Sequence, residues 1–229
     1  MKAENPIFFL DYDGTLAPIS EDPKNALPHP EAPGVLRDLK ARYPVYVVTG
    51  RRMGDLEALF PLPGLPVVGG HGLEEGVLGQ GSTPLFPVDL APLRPHLPPC
   101  PGVWVEDKGY ALALHYRGAQ DEKEAARCLE VWLEGMRGLL QGLGLEVLPG
   151  KKVLEIKPQG VNKGQAVLRL LARHPGHTPV YIGDDTTDEA AFLALKGLGL
   201  TFKVGEGPTA AEGRLRDVEE VVAYLKTYL

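Results

Sequence analysis

Cysteine is scarce in this chain, with only Cys100 and Cys128 among 229 residues. So few thiols make neither a disulfide framework nor a metal-ligand pair, and a cytoplasmic location is the expectation. Long apolar runs are missing as well. The first candidate, residues 7–10, is cut off by Asp11. It is too short for the core of a signal peptide, and no later stretch has the length to span a bilayer. Positive charge is in deficit, since 24 Lys and Arg against 30 Asp and Glu leave a net charge of −6. Nucleic acid and anionic membrane both demand clustered positive charge, so neither is expected as a partner. Thermolabile residues are few too, with 3 Asn, 5 Gln, 2 Cys and 3 Met, while Pro reaches 22. That balance leans toward a thermophilic source.

What remains is an ordinary globular composition, 44% apolar and 24% charged, in a chain long enough for one domain with a sizeable insertion. The first part alternates strand and helix signals. Residues 7–10 read as a buried strand, 31–41 as a helix with Val35, Leu36 and Leu39 on one side, and 45–48 as a β-branched strand. A short helix at 56–60 and a strand at Val67-Val68 follow. The last part resumes the pattern: helix 164–173, strand 179–182, helix 187–195, strand 200–204 and a closing helix 218–229. Repeated strand–helix units imply a parallel sheet covered by helices on both faces.

Between these parts the grammar changes. Residues 84–101 are proline-rich and read as a linker. Strands at 103–106 and 110–116 flank Asp107-Lys108-Gly109, an amphipathic helix spans 121–140, and strands at 145–148 and 153–156 flank a Pro149-Gly150 turn. This block reads as an inserted small α/β domain. The expected division is a core from residues 1–85 and 159–229 and an insertion from 86–158. Trp104 and Trp132 read as core residues, and His71 as a turn or core histidine.

The chemistry-bearing residues gather at strand ends. Asp11-Tyr12-Asp13-Gly14-Thr15 follows the first strand, where ligands of parallel sheets bind. Residues two apart on an extended segment point the same way, so Asp11 and Asp13 can converge, and close like charges call for a cation such as Mg²⁺. Thr49 and Gly50 end the second strand and can offer a hydroxyl and backbone amides to a phosphoryl oxygen. Lys163 opens the helix after the insertion, where a helix N-terminus already favours anions. Asp184, Asp185, Asp188 and Glu189 crowd a third strand end. Helix capping and dipole effects explain part of that cluster, and metal binding explains why it shares an edge with Asp11. The stretch 144–150 is no nucleotide-binding loop, because the spacing is wrong and Lys151 is followed by Lys152.

In this order the four pieces resemble the signature of haloacid-dehalogenase-like phosphohydrolases, and the long interval from Thr49 to Lys163 is similar to the cap insertion of that superfamily. Further stretches narrow the likeness: residues 9–19, His71-Gly72-Leu73-Glu74, 183–189, Val105-Glu106-Asp107-Lys108-Gly109, His115-Tyr116-Arg117 and 150–155. These resemble the trehalose-6-phosphate phosphatase family. The resemblance implies an α/β fold with a Rossmann-like parallel-sheet core and a small α/β cap domain. It implies a Mg²⁺-dependent phosphatase acting on a small-molecule sugar phosphate, with Asp11 as nucleophile and Asp13 as proton donor and acceptor. Mg²⁺ would be held by Asp11, the Asp13 carbonyl and Asp184, with Asp185 and Asp188 supporting. Thr49, Gly50 and Lys163 would bind phosphoryl oxygens, and Glu106, Lys108, Arg117, Lys151 and Glu155 the distal glucose.

Charged side chains that alternate along a strand share a face and bond sugar hydroxyls well, which suits the last set. A solvated face with incidental ion pairs is the competing account of each of those residues. A receiver domain would lack both the insertion and the Asp-x-Asp-Gly-Thr motif. A phosphomutase would return the phosphoryl group to sugar, and phosphatases of sucrose phosphate or mannosyl-phosphoglycerate are the nearest alternatives in substrate. A monomer is expected.

Overall fold

The run Pro6–Leu10 forms β1, and every one of its side chains is buried. Phe8 and Leu10 enter one apolar cluster and Ile7 and Phe9 a second. A strand apolar on both faces belongs in the middle of a sheet covered on both sides. The computed structural model describes residues 2–229 and comprises two units, Met1–Leu85 with Asn162–Leu229, and Phe86–Val161.

In the first unit β1 is followed by α1 (Ala32–Lys40), β2 (Val45–Val48), α2 (Met53–Leu59), β3 (Pro66–Gly69) and a hairpin of β4 (Glu74–Val77) and β5 (Gly81–Pro84). The second unit contributes β6 (Trp104–Asp107), β7 (Leu112–His115), α3 (Glu122–Gly142), β8 (Leu145–Gly150) and β9 (Val153–Pro158). The chain then returns to the first unit with α4 (Lys163–Leu171), β10 (Thr178–Gly183), α5 (Glu189–Ala194), β11 (Leu200–Val204), β12 (Gly213–Leu215) and α6 (Val218–Lys226). The eight-stranded sheet runs β12-β11-β10-β1-β2-β3-β4-β5. Pairing is parallel from β12 to β3 and antiparallel across β3, β4 and β5. β1 sits where the strand order reverses, with β2 on one side and β10 on the other. Such a switch point opens a crevice beyond the strand ends.

Helices α1, α2 and α6 cover one face and α4 and α5 the other. The buried positions of α1, Ala32, Val35, Leu36 and Leu39, follow the 3–4 spacing of a helix with one apolar stripe. Truncating a fully buried ring such as Phe8 to alanine would cost about 3–5 kcal/mol.

The second unit has its own core. Its antiparallel sheet, β6-β7-β9-β8, turns Leu112, Leu114, Leu145 and Ile156 toward Leu129, Met136 and Leu140 of α3. The Asp121 carboxylate starts α3 by accepting from the amides of Lys123 and Glu124, each at 3.0 Å, a cap that contributes about 1 kcal/mol.

Several expectations are corrected here. Cys100 and Cys128 are joined in a disulfide, so the two cysteines do form a cross-link, tying the segment before β6 to α3. Trp104 is 53% exposed because it opens an edge strand on the face away from α3, whereas Trp132 packs against the α3 core. The turn between the last two strands of this unit is Lys151-Lys152, with Lys152 at a φ of 62°, rather than Pro149-Gly150, which extends β8. The proline-rich linker holds a 3-10 helix, Ala91–His96, whose Leu93 is buried. The β4–β5 hairpin and β12 lie where no strand was expected. No helix among the described residues is long and apolar enough to cross a membrane.

Candidate active site

Asp11 is the first residue past β1, and its amide donates to the Ile182 carbonyl of β10 at 2.9 Å. The ladder therefore delivers its carboxylate to the switch point, where it is 4% exposed. Lys163 stands at the first position of α4, behind an Asn162 cap that accepts from the Gln165 amide. Its Nζ lies 2.7 Å from Asp11 Oδ1 and 2.8 Å from Asp188 Oδ1. Asp188, wholly buried, also accepts from the Tyr181 hydroxyl at 2.6 Å and the Asp185 amide at 2.9 Å. Tyr181 meets Phe192 edge-on in the apolar cluster behind the site. Asp185 caps the short 3-10 turn that precedes α5 and is itself exposed.

Ligand oxygens of Asp11, Asp184 and Asp188 all lie within 4.8 Å of one another. Asp184 is positioned by its backbone, whose carbonyl accepts from Lys203 Nζ at 2.6 Å. Its carboxylate fills the space a side chain at residue 14 would need: a Cβ on Gly14 would fall 2.0 Å from Asp184 Oδ2, and φ there is +75°. Glycine at that position is thus demanded by both geometry and contact.

The electrostatics follow from three carboxylates around one ammonium. Burial drives the Asp11 carboxyl well above the usual range; Lys163 opposes the shift, and Asp188 and Asp184 add to it. Burial, with Asp188 and Asp185, lifts Asp184 to about 6. Burial alone would also raise Asp188, but Lys163, the Tyr181 hydroxyl and the Asp185 amide outweigh it and hold that carboxylate below its ordinary value. Burial disfavours a charged Lys163, yet Asp11 and Asp188 more than compensate and its pKa rises. Lys163 therefore stays an ammonium, one positive charge set among three carboxylates. An all-oxygen donor set with surplus negative charge suits a hard divalent ion.

Thr49 directly follows β2, buried, with its amide bonded to the Val68 carbonyl and its Oγ1 accepting from the Arg51 amide at 3.1 Å. Accepting there leaves its hydroxyl proton to be donated. Gly50 permits the close approach of His71, since a Cβ would fall 2.4 Å from the imidazole Cε1. His71 itself occupies a turn at φ 57°.

Asp13 does not point into this cluster. Its carboxylate is gripped by Arg51, Nε to Oδ2 at 2.7 Å and Nη2 to Oδ1 at 2.6 Å. Arg51 in turn stands over the Tyr12 ring. Sequence reasoning missed Arg51, although an arginine directly after Thr49-Gly50 at a strand end was a usable signal. It also missed Tyr181, an ordinary aromatic within an apolar strand, and Lys203, for which no local pattern exists.

In the second unit Glu106, Ala113 and Glu155 stand in one row across β6, β7 and β9. Lys108 Nζ pairs with Glu155 Oε1 at 2.9 Å, with both side chains largely buried. Glu106 Oε2 pairs with His115 Nε2 at 3.0 Å. Arg117 and Lys151 are exposed and meet only through an Arg117 Nη2 bond to the Lys151 carbonyl at 3.3 Å. The structure thus gathers Glu106 of β6, Lys108 just past that strand and Glu155 of β9 across the intervening β7, and leaves Arg117 and Lys151 at the hairpin end.

A family model described as trehalose-phosphatase matches residues 9–83 and 91–216. The trehalose-phosphate phosphatase of Mycobacterium tuberculosis (strain H37Rv) is 37% identical across 91% of the chain, and 57% of that protein is covered. The chain therefore spans little more than half the length of its mycobacterial relatives. Escherichia coli (strain K12) trehalose-6-phosphate phosphatase is 32% identical, with 96% of this chain and 85% of the relative aligned. Among solved structures, a trehalose-6-phosphate phosphatase related protein superposes with a TM-score of 0.75 at 30% identity, covering 97% of this chain and 96% of that one. The C-terminal domain of Candida albicans trehalose-6-phosphate phosphatase gives a TM-score of 0.77 at 25% identity, covering 98% and 92%.

Proposed function

The chain belongs to the trehalose-phosphatase family, and from that premise we propose that it is a Mg²⁺-dependent phosphatase converting trehalose 6-phosphate to trehalose and inorganic phosphate. The carrying observation is the buried Lys163 bridge between Asp11 and Asp188, with Asp184 alongside. In this reading the Asp11 carboxylate attacks phosphorus in line with the sugar oxygen and becomes an aspartyl phosphate, so one difficult displacement becomes two easier ones. Lys163, the Thr49 hydroxyl and the backbone at Gly50 hold the phosphoryl oxygens. Lys163 also keeps positive charge where negative charge grows in the transition state. Asp13 protonates the departing sugar oxygen and afterwards takes a proton from the attacking water. Asp188 and its partners Tyr181 and the Asp185 amide fix the Lys163 ammonium.

The Asp11 carboxylate, the Asp13 carbonyl and Asp184 are the groups that would hold Mg²⁺. When bound, the ion supplies charge neutralisation for the phosphoryl oxygens. On the second unit, Glu106, Lys108 and Glu155, with Arg117 and Lys151, recognise sugar hydroxyls. A site built on such bonds rejects sugars that lack the matching hydroxyl. We place this activity in the cytoplasm. The disulfide is compatible with that location in a hyperthermophile, whose intracellular proteins carry such bonds.

A panel of trehalose, sucrose, glucose and mannosyl phosphates, assayed for phosphate release with and without Mg²⁺, tests the proposal. Release should be fastest from trehalose 6-phosphate and should stop on chelation. Full activity after exhaustive metal removal, or preference for another sugar phosphate, would overturn it.

A further inference from the structure

An exposed indole stands on the second unit beside the groups assigned to sugar recognition. Trp104 opens β6 and is 53% exposed. Its ring stacks on the imidazole of His115, its cross-strand partner on β7, with 4.0 Å between centroids and 10° between planes. His115 Nε2 is held in turn by Glu106 Oε2 at 3.0 Å. One face of the indole is therefore backed by a ring that a carboxylate fixes, and the exposure belongs to the rest of the side chain. Glu106 follows two positions along the same strand, so its side chain leaves the same face about 7 Å further on. Across Ala113 from Glu106 lies Glu155, paired with Lys108.

We propose that Trp104 is a stacking platform for a pyranose ring, adding an aromatic subsite to the charged sugar-binding groups. The inference rests on the sugar-phosphate reading above. A glucopyranose carries its hydroxyls around the rim and C–H bonds on its two faces. The electron-rich face of an indole attracts such polarised C–H groups, and the flat contact buries apolar area from both partners. A ring seated there presents its rim hydroxyls to Glu106, about one ring-width along the strand. The His115 and Glu106 contacts hold the indole in place before the sugar arrives, so little freedom is lost on binding. A cross-strand aromatic pair also supports the sheet, but that role alone predicts a lower melting temperature and no change in substrate preference.

The test compares the wild type, Trp104→Ala and Trp104→Phe on trehalose 6-phosphate and on glucose 6-phosphate, with melting temperatures for each. Trp104→Ala should raise KM for trehalose 6-phosphate roughly three- to tenfold with kcat nearly retained, because stacking aids ground and transition states alike. The preference for the disaccharide over the monosaccharide ester should fall with it. Trp104→Phe keeps an aromatic face and should regain most of the loss. Trehalose should change the indole fluorescence of the wild type, and because Trp104→Phe leaves Trp132 as the remaining indole, that change should vanish in the variant. Equal losses on both esters, an unchanged KM, or no rescue by phenylalanine would overturn the subsite while leaving the trehalose 6-phosphate activity intact. A wild type that releases phosphate from neither ester would instead remove the substrate reading, and this inference with it.

Discussion

Arg51 holds both carboxylate oxygens of Asp13, at 2.7 and 2.6 Å, while its third nitrogen bonds the carbonyl of Pro23 at 2.8 Å. The loop after β1 and the loop after β2 are thereby locked together through the residue proposed to move protons. A planar fork sets the orientation of a carboxylate in a way that a point charge does not. Arg51→Lys should therefore lower kcat on trehalose 6-phosphate by about ten- to a hundredfold, a share of what general acid catalysis supplies. The loss should be smaller on p-nitrophenyl phosphate, whose leaving group needs little protonation. Equal losses on both would detach Arg51 from proton transfer.

The roles proposed for the paired aspartates separate in the phosphoenzyme that Asp11 would form. Asp11→Asn should give no turnover and no covalent phosphate, because an amide cannot serve as the nucleophile. Asp13→Asn should fold normally and lose about 10²–10⁴-fold in rate. Mass spectrometry of acid-quenched enzyme checks the assignment, and phosphate found on any residue other than Asp11 would defeat it.

Metal affinity should carry the mark of Asp184, whose carboxyl is lifted to about 6. A raised value means that the metal-free fold favours the protonated form. Its stabilising contribution is present at low pH and is lost as pH rises through about 6. A divalent ion must displace that proton, and the one that burial favours on Asp11 as well, so Mg²⁺ affinity should fall by at least tenfold per pH unit below about 6. Calorimetric titration across that range reads the slope directly, and Asp184→Asn should make it shallower by the share of one proton. A wild-type affinity independent of pH would contradict this account.

The Cys100–Cys128 bond spans a sequence separation of 28. Closing a loop of that size stabilises a fold by roughly 3–4 kcal/mol through the unfolded chain. Reduction, or replacement of both cysteines by serine, should lower the melting temperature by roughly 10 °C. Two reactive thiols in the unreduced native protein, with melting insensitive to reductant, would show that the bond does not form in solution.

The central strands were readable from sequence because a strand buried on both faces needs a contiguous apolar run, as at Phe8-Phe9-Leu10 and Val45 to Val48. The hairpin of β4 and β5 was hidden because Gly81–Pro84 is exposed throughout and carries no alternation. Gly213–Leu215 is too short to show a period. Pro149-Gly150 looked like a turn by composition, yet the cross-strand ladder runs through both residues and Lys152 takes up the positive φ. Strand ends bearing Asp11, Thr49 and Asp184 were legible because carboxylates and hydroxyls interrupt apolar runs there. Partnerships across the chain were not: Arg51 with Asp13, Tyr181 with Asp188 and Cys100 with Cys128 depend on folding distance, which local pattern does not encode.

Tyr181 gives the site a boundary condition that reaches well beyond the reacting groups. Its ring is a wall of the apolar interior, in edge contact with Phe192, and its hydroxyl is one of the bonds that steady Asp188. A single side chain thus belongs to the packing and to the electrostatics at once. Repacking the layer between β10 and α5 to gain heat resistance would displace Tyr181, then Asp188, then the ammonium of Lys163. Directed evolution of this protein for stability therefore has its free choices elsewhere, on the exposed hairpin edge and the outer surface of α3. The interior behind the acidic cluster has to be treated as part of the proposed site.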